Sequence, residues 1–180
     1  MVSSAADPAP LAAEDPTLRV DRSAADGAAT HLALEDYLPY LINRAGVSLV
    51  HRFGAVLREE ELGIQDWRVL VALQEFSLHA AAKTGMRLSD LSLRTAIEIS
   101  TLSRVVANME KASLLHRERD GRDARAVSIR LTPRGLSMAA KLMPSGLALE
   151  QAALAGLDAA ETRQLKDLLR RVYRNLTPEE

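Results

Sequence analysis

A change of hydrophobic period between residues 99 and 131 constrains the fold of this chain more than any other feature. Apolar residues first recur at three- and four-residue steps, which is the spacing of one stripe along an α-helix. They are Leu102, Val105, Val106 and Met109. The apolar positions then alternate with polar ones, as in a half-buried β-strand. They are Val127, Ile129 and Leu131.

The residues around this change of period complete a recognisable unit. Residues 114–119 form the expected hairpin partner of the strand, and Asp-Gly at 120–121 favours a tight reversal between them. A shorter helical segment begins near Leu88 and ends at a turn through Thr95 and Ala96. This order of elements, two helices joined by a turn and followed by a hairpin with a basic tip, predicts a winged helix-turn-helix. The protein is therefore expected to be mainly α with a small β-wing.

The rest of the chain is predicted to be helical apart from its first residues. Residues 1–34 are rich in Ala, Asp, Pro and Ser and predict a flexible arm. Periodic apolar residues predict helices in 35–62 and 133–180, which flank a winged-helix domain at 63–132. Four residues are predicted to help begin helices, namely Asp66 and Thr132 as N-caps and Asp158 with Glu161 as a capping pair.

Composition excludes several classes of protein. The chain has no cysteine and only 3% aromatic residues, which argues against thiol chemistry and against a stacking platform for single strands. Its four histidines have no metal-ligand spacing, and no glycine-rich phosphate loop follows a strand. We therefore expect no enzyme activity, no metal and no cofactor. Because no long apolar run and no secretory signal is visible, we expect a cytoplasmic protein without membrane contact.

The distribution of charge indicates a nucleic-acid partner. The formal net charge is only −1, but residues 86–135 hold ten Lys and Arg against six Asp and Glu. The exposed side of the helix at 99–111 carries short hydroxyls, an amide and cations, which suit contacts with phosphates and base edges. These residues are Ser100, Thr101, Ser103, Arg104, Asn108 and Lys111. Alternatives remain open, because Ser100 and Thr101 could only cap the helix, Arg104 could form a surface ion pair and Asn108 could be merely solvated.

Three motifs in this block resemble the MarR family of bacterial transcriptional regulators. They are ISTLSRVVANMEK at 99–111, LLHRERDGRDAR at 114–125 and LTPRG at 131–135. The second motif contains the Asp-x-Arg-Asp-x-Arg pattern typical of the family's wing. The chain departs from the family at Ala96 and Ser113, where glycine is frequent because positive φ costs glycine nothing.

The resemblance implies roles for the wing and for the terminal helices. Arg122 would enter the minor groove, while Asp120 and Asp123 would orient Arg122 and Arg125. A surface ion pair is the alternative for Arg122. The helices around 38–58 and 158–176 would form a homodimer, which implies a pseudo-palindromic operator in double-stranded DNA.

The resemblance also implies a small-molecule effector. Many family members bind an anionic, often aromatic ligand between the dimer helices and the DNA-binding lobe, and here Arg44, His51, Trp67 and Arg68 could line that cleft. His51 and Trp67 could instead be core or interface residues. We therefore expect a repressor released by an aromatic acid or its thioester. The rival hypothesis is a winged helix that binds proteins and has no sequence-specific DNA affinity.

Overall fold

In a computed structural model of the protein, the described residues are 33–78, 85–119 and 127–177. Six α-helices and three strands follow one another in this part of the chain. They are α1 (Leu38–Glu59), α2 (Ile64–Ser77), β1 (Met86–Arg87), α3 (Leu88–Thr95), α4 (Ile99–Lys111), β2 (Leu115–Arg119), β3 (Val127–Leu131), α5 (Pro133–Ala153) and α6 (Ala159–Leu176). The mainly helical fold with a small wing is confirmed. No helix in these ranges is long and apolar enough to cross a membrane.

The chain divides into two compact units, residues 1–41 and 42–180. The described part of the first unit is a short 3-10 helix, Leu34–Asp36, followed by the first residues of α1. Most of the flexible arm predicted for 1–34 lies outside the described residues. The remaining elements belong to the second unit.

The strands form one antiparallel sheet in the order β1-β3-β2. Leu115 pairs with Leu131 and Arg117 with Ile129, which confirms the predicted hairpin. Strand β1 was not predicted from the sequence. It has only two residues, and Met86 finds its partner Ile129 more than forty positions away. Such a short strand carries no periodic signal of its own.

The core lies where α1, α2, α3, α4, α5 and the sheet meet. All four residues of the predicted stripe on α4 are buried, which confirms that helix and its orientation. Fully buried partners come from every neighbouring element. They include Leu57, Val69, Leu70, Leu91, Leu115 and Ile129. Each such side chain contributes about 1.5–3 kcal/mol when it leaves water, so this cluster fixes the helix-turn-helix as one unit.

Two predicted helix starts are confirmed and one is corrected. The Thr132 side chain accepts from the Gly135 N–H at 3.0 Å, and Asp158 and Glu161 form a reciprocal capping box. Asp66, however, is not an N-cap. Helix α2 begins one turn earlier at Ile64, with Gly63 as the N-cap, and the Asp66 carboxylate accepts from the Gly63 N–H at 2.7 Å. An acid in the first turn satisfies a free N–H as an N-cap would, so the two patterns look alike in sequence.

Both departures from the family's glycines adopt the left-handed conformation. Ala96 ends α3 with φ 51°, and Ser113 follows α4 with φ 59°. The Ser113 N–H donates to the Glu110 carbonyl and the Leu114 N–H to the Met109 carbonyl, both at 2.9 Å. This is the Schellman arrangement in which glycine is favoured. The chain therefore accepts backbone strain on both sides of α4, in the turn before it and directly after it.

A tight junction joins the hairpin to α5. The Thr132 hydroxyl lies 2.7 Å from the Ser113 carbonyl and 3.2 Å from the Leu114 carbonyl, while the Thr132 N–H donates to Leu114 at 3.1 Å. Gly135 is buried directly against the same carbonyl, and a Cβ at this position would lie 1.9 Å from the Leu114 oxygen. Only glycine fits there, which is the physical reason for the Leu-Thr-x-x-Gly pattern.

We predict that Gly135→Ala destabilises the protein by about 2 kcal/mol or more, because the methyl group must displace the Leu114 backbone. Chemical denaturation followed by circular dichroism measures the change. Gly54→Ala is the matched control, since a Cβ there meets only the mobile end of Arg58 at 3.3 Å. Equal stability of both variants would contradict the role assigned to the junction.

Candidate nucleic-acid interface

Helix α4 presents a polar face on the side opposite to its buried stripe. Ser103, Arg104, Asn108 and Lys111 are exposed, as is Ser100 at the start of the helix, whereas Thr101 is half-buried. These are the six residues that the sequence predicts for DNA contacts. The structure brings them together on one helix, but their contacts with DNA stay a prediction.

The turn before α4 is held by side chains of α3. The Ser92 hydroxyl donates to the Ile97 carbonyl at 2.7 Å, across the left-handed residue Ala96. The buried Thr95 hydroxyl donates to the Leu91 carbonyl at 2.6 Å. These bonds and the buried Leu91 fix the direction in which α4 leaves α3, as a helix that reads a groove requires.

Glu98 lies at the start of the candidate interface, and the sequence patterns do not single it out. It is the N-cap residue of α4, so neither Ser100 nor Thr101 occupies that position. The Ser100 hydroxyl donates to the Glu98 carboxylate. This bond, hydrogen bonding from the helix backbone and the charge of Arg104 together lower the pKa of Glu98. The sequence did contain a signal for this residue, because Glu98 stands directly before a helix whose first turns carry several hydroxyl residues.

A second acid, Glu110, connects the last turn of α4 to the wing. Its carboxylate accepts from the backbone N–H of Arg117 at 3.1 Å and from the Arg117 Nε at 2.7 Å, and it also pairs with Nη2. The Arg117 side chain holds the pKa of Glu110 below its ordinary value. Sequence periodicity could not reveal this pair, because the intervening Schellman turn brings the two residues together.

The tip of the wing lies outside the described residues. This applies to all four of its predicted functional residues, which are Asp120, Arg122, Asp123 and Arg125. The described base of the hairpin carries its own ion pairs. Glu118 lies 2.9 Å from the His116 Nε2 and 3.8 Å from an Arg130 nitrogen. The roles of the tip therefore stay predictions.

The four candidate ligand residues differ in their surroundings. Arg44, His51 and Arg68 are exposed, whereas Trp67 is half-buried and packs edge-on against Phe53, with ring centroids 5.2 Å apart. Neither the groove along α6 nor a cavity of about 210 Å³ between α2, the sheet and the start of α5 is lined by any of the four. The packing of Trp67 is that of a core residue. Within the described ranges, no group of acids and histidines could hold a metal ion.

A helix-turn-helix with a polar recognition helix and a β-hairpin beside it defines a winged helix-turn-helix protein. The family model for MarR matches residues 80–127. The transcriptional repressor IacR of Pseudomonas putida is 25% identical over 151 residues, covering 84% of this chain and 86% of the relative. The chain therefore resembles the MarR family of transcriptional regulators, whose members bind DNA operators, dimerise and are not enzymes.

Two solved regulators resemble the chain in both sequence and structure. Bordetella bronchiseptica BpsR, whose DNA binding is regulated by 6-hydroxynicotinic acid, is 27% identical with a TM-score of 0.65, covering 75% of this chain and 97% of BpsR. Streptomyces coelicolor PcaV, solved in complex with its natural ligand, is 27% identical with a TM-score of 0.68, covering 79% of this chain and 95% of PcaV.

We predict that Glu110→Gln lowers the free energy of unfolding at pH 7 by about 0.5–1 kcal/mol, the range of an exposed ion pair. A carboxyl whose pKa is lowered by folding stabilises the protein above its unfolded pKa, and this contribution disappears as pH falls through the folded pKa. The difference between wild type and variant should therefore begin to shrink as pH falls below about 4.3, the ordinary pKa of glutamate, and should disappear once the Glu110 carboxyl is protonated in the folded protein as well. Urea titrations at several pH values measure it.

The control for this prediction is Glu59→Gln, an exposed acid at the end of α1. Glu59→Gln should change the free energy of unfolding little, both at pH 7 and at pH 3. A Glu110→Gln penalty that persists undiminished at pH 3 would show that charge pairing with Arg117 is not its cause.

Proposed function

We propose that the protein is a dimeric repressor that binds a pseudo-palindromic operator and is released from it by a small aromatic acid or its thioester. The observation that carries the proposal is helix α4, whose buried stripe fixes a polar face with Ser103, Arg104 and Asn108 outward. The N-terminal residues of such a helix contact base edges in the major groove. IacR, a repressor, supports the direction of regulation.

The proposed contacts are of two kinds: some discriminate between bases, and others position the protein on the DNA backbone. Arg104 and Asn108 have the bidentate geometry that discriminates guanine and adenine, while Ser100, Thr101, Ser103 and Lys111 supply contacts to bases and flanking phosphates. Arg122 and Arg125 of the wing would follow the minor groove, oriented by Asp120 and Asp123.

We predict that Arg104→Ala weakens operator binding about tenfold, and that Arg122→Ala lowers the slope of log affinity against log salt by about one unit. Fluorescence anisotropy on DNA from upstream of the protein's own gene, at several salt concentrations and with a scrambled competitor, measures both. Arg163→Ala, an exposed arginine of α6, is the control and should change neither.

The same assay tests the rival hypothesis. If Arg104→Ala leaves affinity unchanged and the wild type binds specific and scrambled DNA equally, the winged helix would be a protein-interaction module. A selection of binding sites from random DNA separates this outcome from a poorly chosen operator.

The surfaces of α1 and α6 support a homodimer. Helix α6 has no buried residue, although its apolar side chains share one face, and α1 likewise exposes large apolar residues. On α6 these are Leu165, Leu168, Leu169, Tyr173 and Leu176, and on α1 beyond residue 41 they are Ile42, Val47, Leu49 and Val50. Apolar faces of this extent are typical of protein interfaces. A second copy of the chain is the occupant that the family implies.

We predict that Leu168→Glu weakens the dimer at least about a hundredfold, because a two-fold interface contains each buried leucine twice. Light scattering after size-exclusion chromatography measures the mass as a function of concentration. Arg163→Glu introduces the same residue about 140° away on α6 and should leave the dimer intact. Equal dimer dissociation constants for the two variants would show that Leu168 does not lie in the dimer interface.

The proposed effector is an aromatic acid, by comparison with BpsR and its 6-hydroxynicotinic acid. Arg44, His51 and Arg68 are the exposed residues that could meet a carboxylate, whereas Trp67 is half-buried and packs against Phe53. For release, the ligand must bind more tightly to a dimer whose recognition helices are wrongly spaced for the operator.

We predict that a panel of aromatic acids, 6-hydroxynicotinic acid among them, contains a compound that lowers operator affinity. Arg44→Ala should raise the concentration required at least tenfold, because a charge-assisted hydrogen bond is lost. The amide of the active acid should be inert, and Arg163→Ala is again the control variant. If Arg44→Ala responds as the wild type does, Arg44 has no part in the effector site.

A further inference from the structure

An acidic residue immediately precedes α4, the helix proposed to read the bases. Glu98 is exposed and immediately precedes α4, whose first turn begins with Ile99 and Ser100. A carboxylate at this point repels every phosphate that approaches it. It therefore lowers affinity for DNA in general, in a lobe that is otherwise rich in positive charge.

Only a hydrogen-bond donor on a base edge can offset this repulsion. In the major groove guanine offers two acceptors and thymine offers an acceptor and a methyl group, so neither suits a carboxylate. Adenine offers an amino group, but its N7 acceptor lies beside that group and opposes a negative charge. Cytosine offers the N4 amino group without a neighbouring acceptor, and it is the natural partner of Glu or Asp.

The Glu98 carboxylate is also held in place before any DNA arrives. The Ser100 hydroxyl donates to Oε2, and the positive end of α4 favours a negative charge at this position. An ionised carboxylate has about four lone-pair sites, so the bond to Ser100 leaves acceptor capacity for a base. This bond restricts the Glu98 side chain before contact, which reduces the conformational entropy lost when a base binds.

We propose that Glu98 is a specificity-determining residue that accepts a hydrogen bond from the N4 amino group of a cytosine in each operator half-site. The inference rests on the proposed operator binding through α4. Repulsion between Glu98 and the phosphates lowers the affinity for every DNA sequence. A cytosine at the matching position offsets this repulsion by donating a hydrogen bond to Glu98, and other bases do not.

The test is a selection of binding sites from a random pool of double-stranded DNA. It is carried out with the full-length wild type, with Glu98→Gln and with the control Asp90→Asn, an exposed acid in the first turn of α3. The wild type should fix a cytosine at one position of each half-site. Glu98→Gln should admit adenine at that position alone, since an amide both accepts from N6 and donates to N7.

Anisotropy with the selected site and its single-base variants gives the magnitude. Discrimination of cytosine against adenine at this position should fall about tenfold in Glu98→Gln, while affinity for scrambled DNA should rise. Asp90→Asn should raise the affinity for the selected site and for scrambled DNA by the same factor, so that the ratio of the two affinities is unchanged. Glu98→Asp keeps the charge and a good N-cap but shortens the reach, so it should also lose discrimination, even if Glu98→Gln folds poorly.

The outcomes separate this inference from the proposed function. If the wild type selects a motif and both Glu98 variants select the same motif with the same discrimination, Glu98 has no reading role and operator binding still stands. If the wild type selects no motif, sequence-specific DNA binding itself fails and the inference fails with it.

Discussion

The contact between Gly135 and the Leu114 carbonyl is the constraint on which much of this structure depends. It places the start of α5 directly on the chain that leaves the recognition helix, at a distance that no other residue permits. Thr132 strengthens the same point, with its hydroxyl 2.7 Å from the Ser113 carbonyl and its backbone N–H bonded to Leu114. The end of α4, the base of the wing and the beginning of α5 therefore move as one body.

If the protein responds to a ligand as proposed, this junction is the part of the DNA-binding lobe through which α5 would act on α4. Helix α5 begins at the junction and continues for 21 residues, to Ala153. A ligand that tilts α5 would carry α4 and the base of the wing with it, because close-packed interiors transmit displacement rather than absorb it. The proposed change of spacing between recognition helices then needs only a small rotation at the dimer interface.

Acidic residues have distinct uses in the positively charged block. Glu110 holds Arg117 and so attaches the wing strand β2 to α4, while Glu75 pairs with Arg94 at 2.6 Å and links α2 to α3. Both acids pair with arginines of the lobe, whereas Glu98 lies at the start of α4, the end proposed to face the bases. In the proposed complex the net positive charge would supply general affinity for DNA, and the position of Glu98 would limit the sequences that benefit from it.

The sequence by itself determined the elements whose signal is local. The stripe on α4, the strand β3, the cap at Thr132 and the capping box at Asp158 each have a signal within a few residues, and each is confirmed. Only the tertiary structure decided the features that join distant residues or choose between equivalent local patterns. These are the pairing of β1 with β3, the N-cap of α2 at Gly63 rather than Asp66, the Glu110–Arg117 pair and the packing of Trp67 against Phe53. The physical reason is that periodicity and capping report short-range preferences, whereas pairing and packing depend on which surfaces the folded chain brings together.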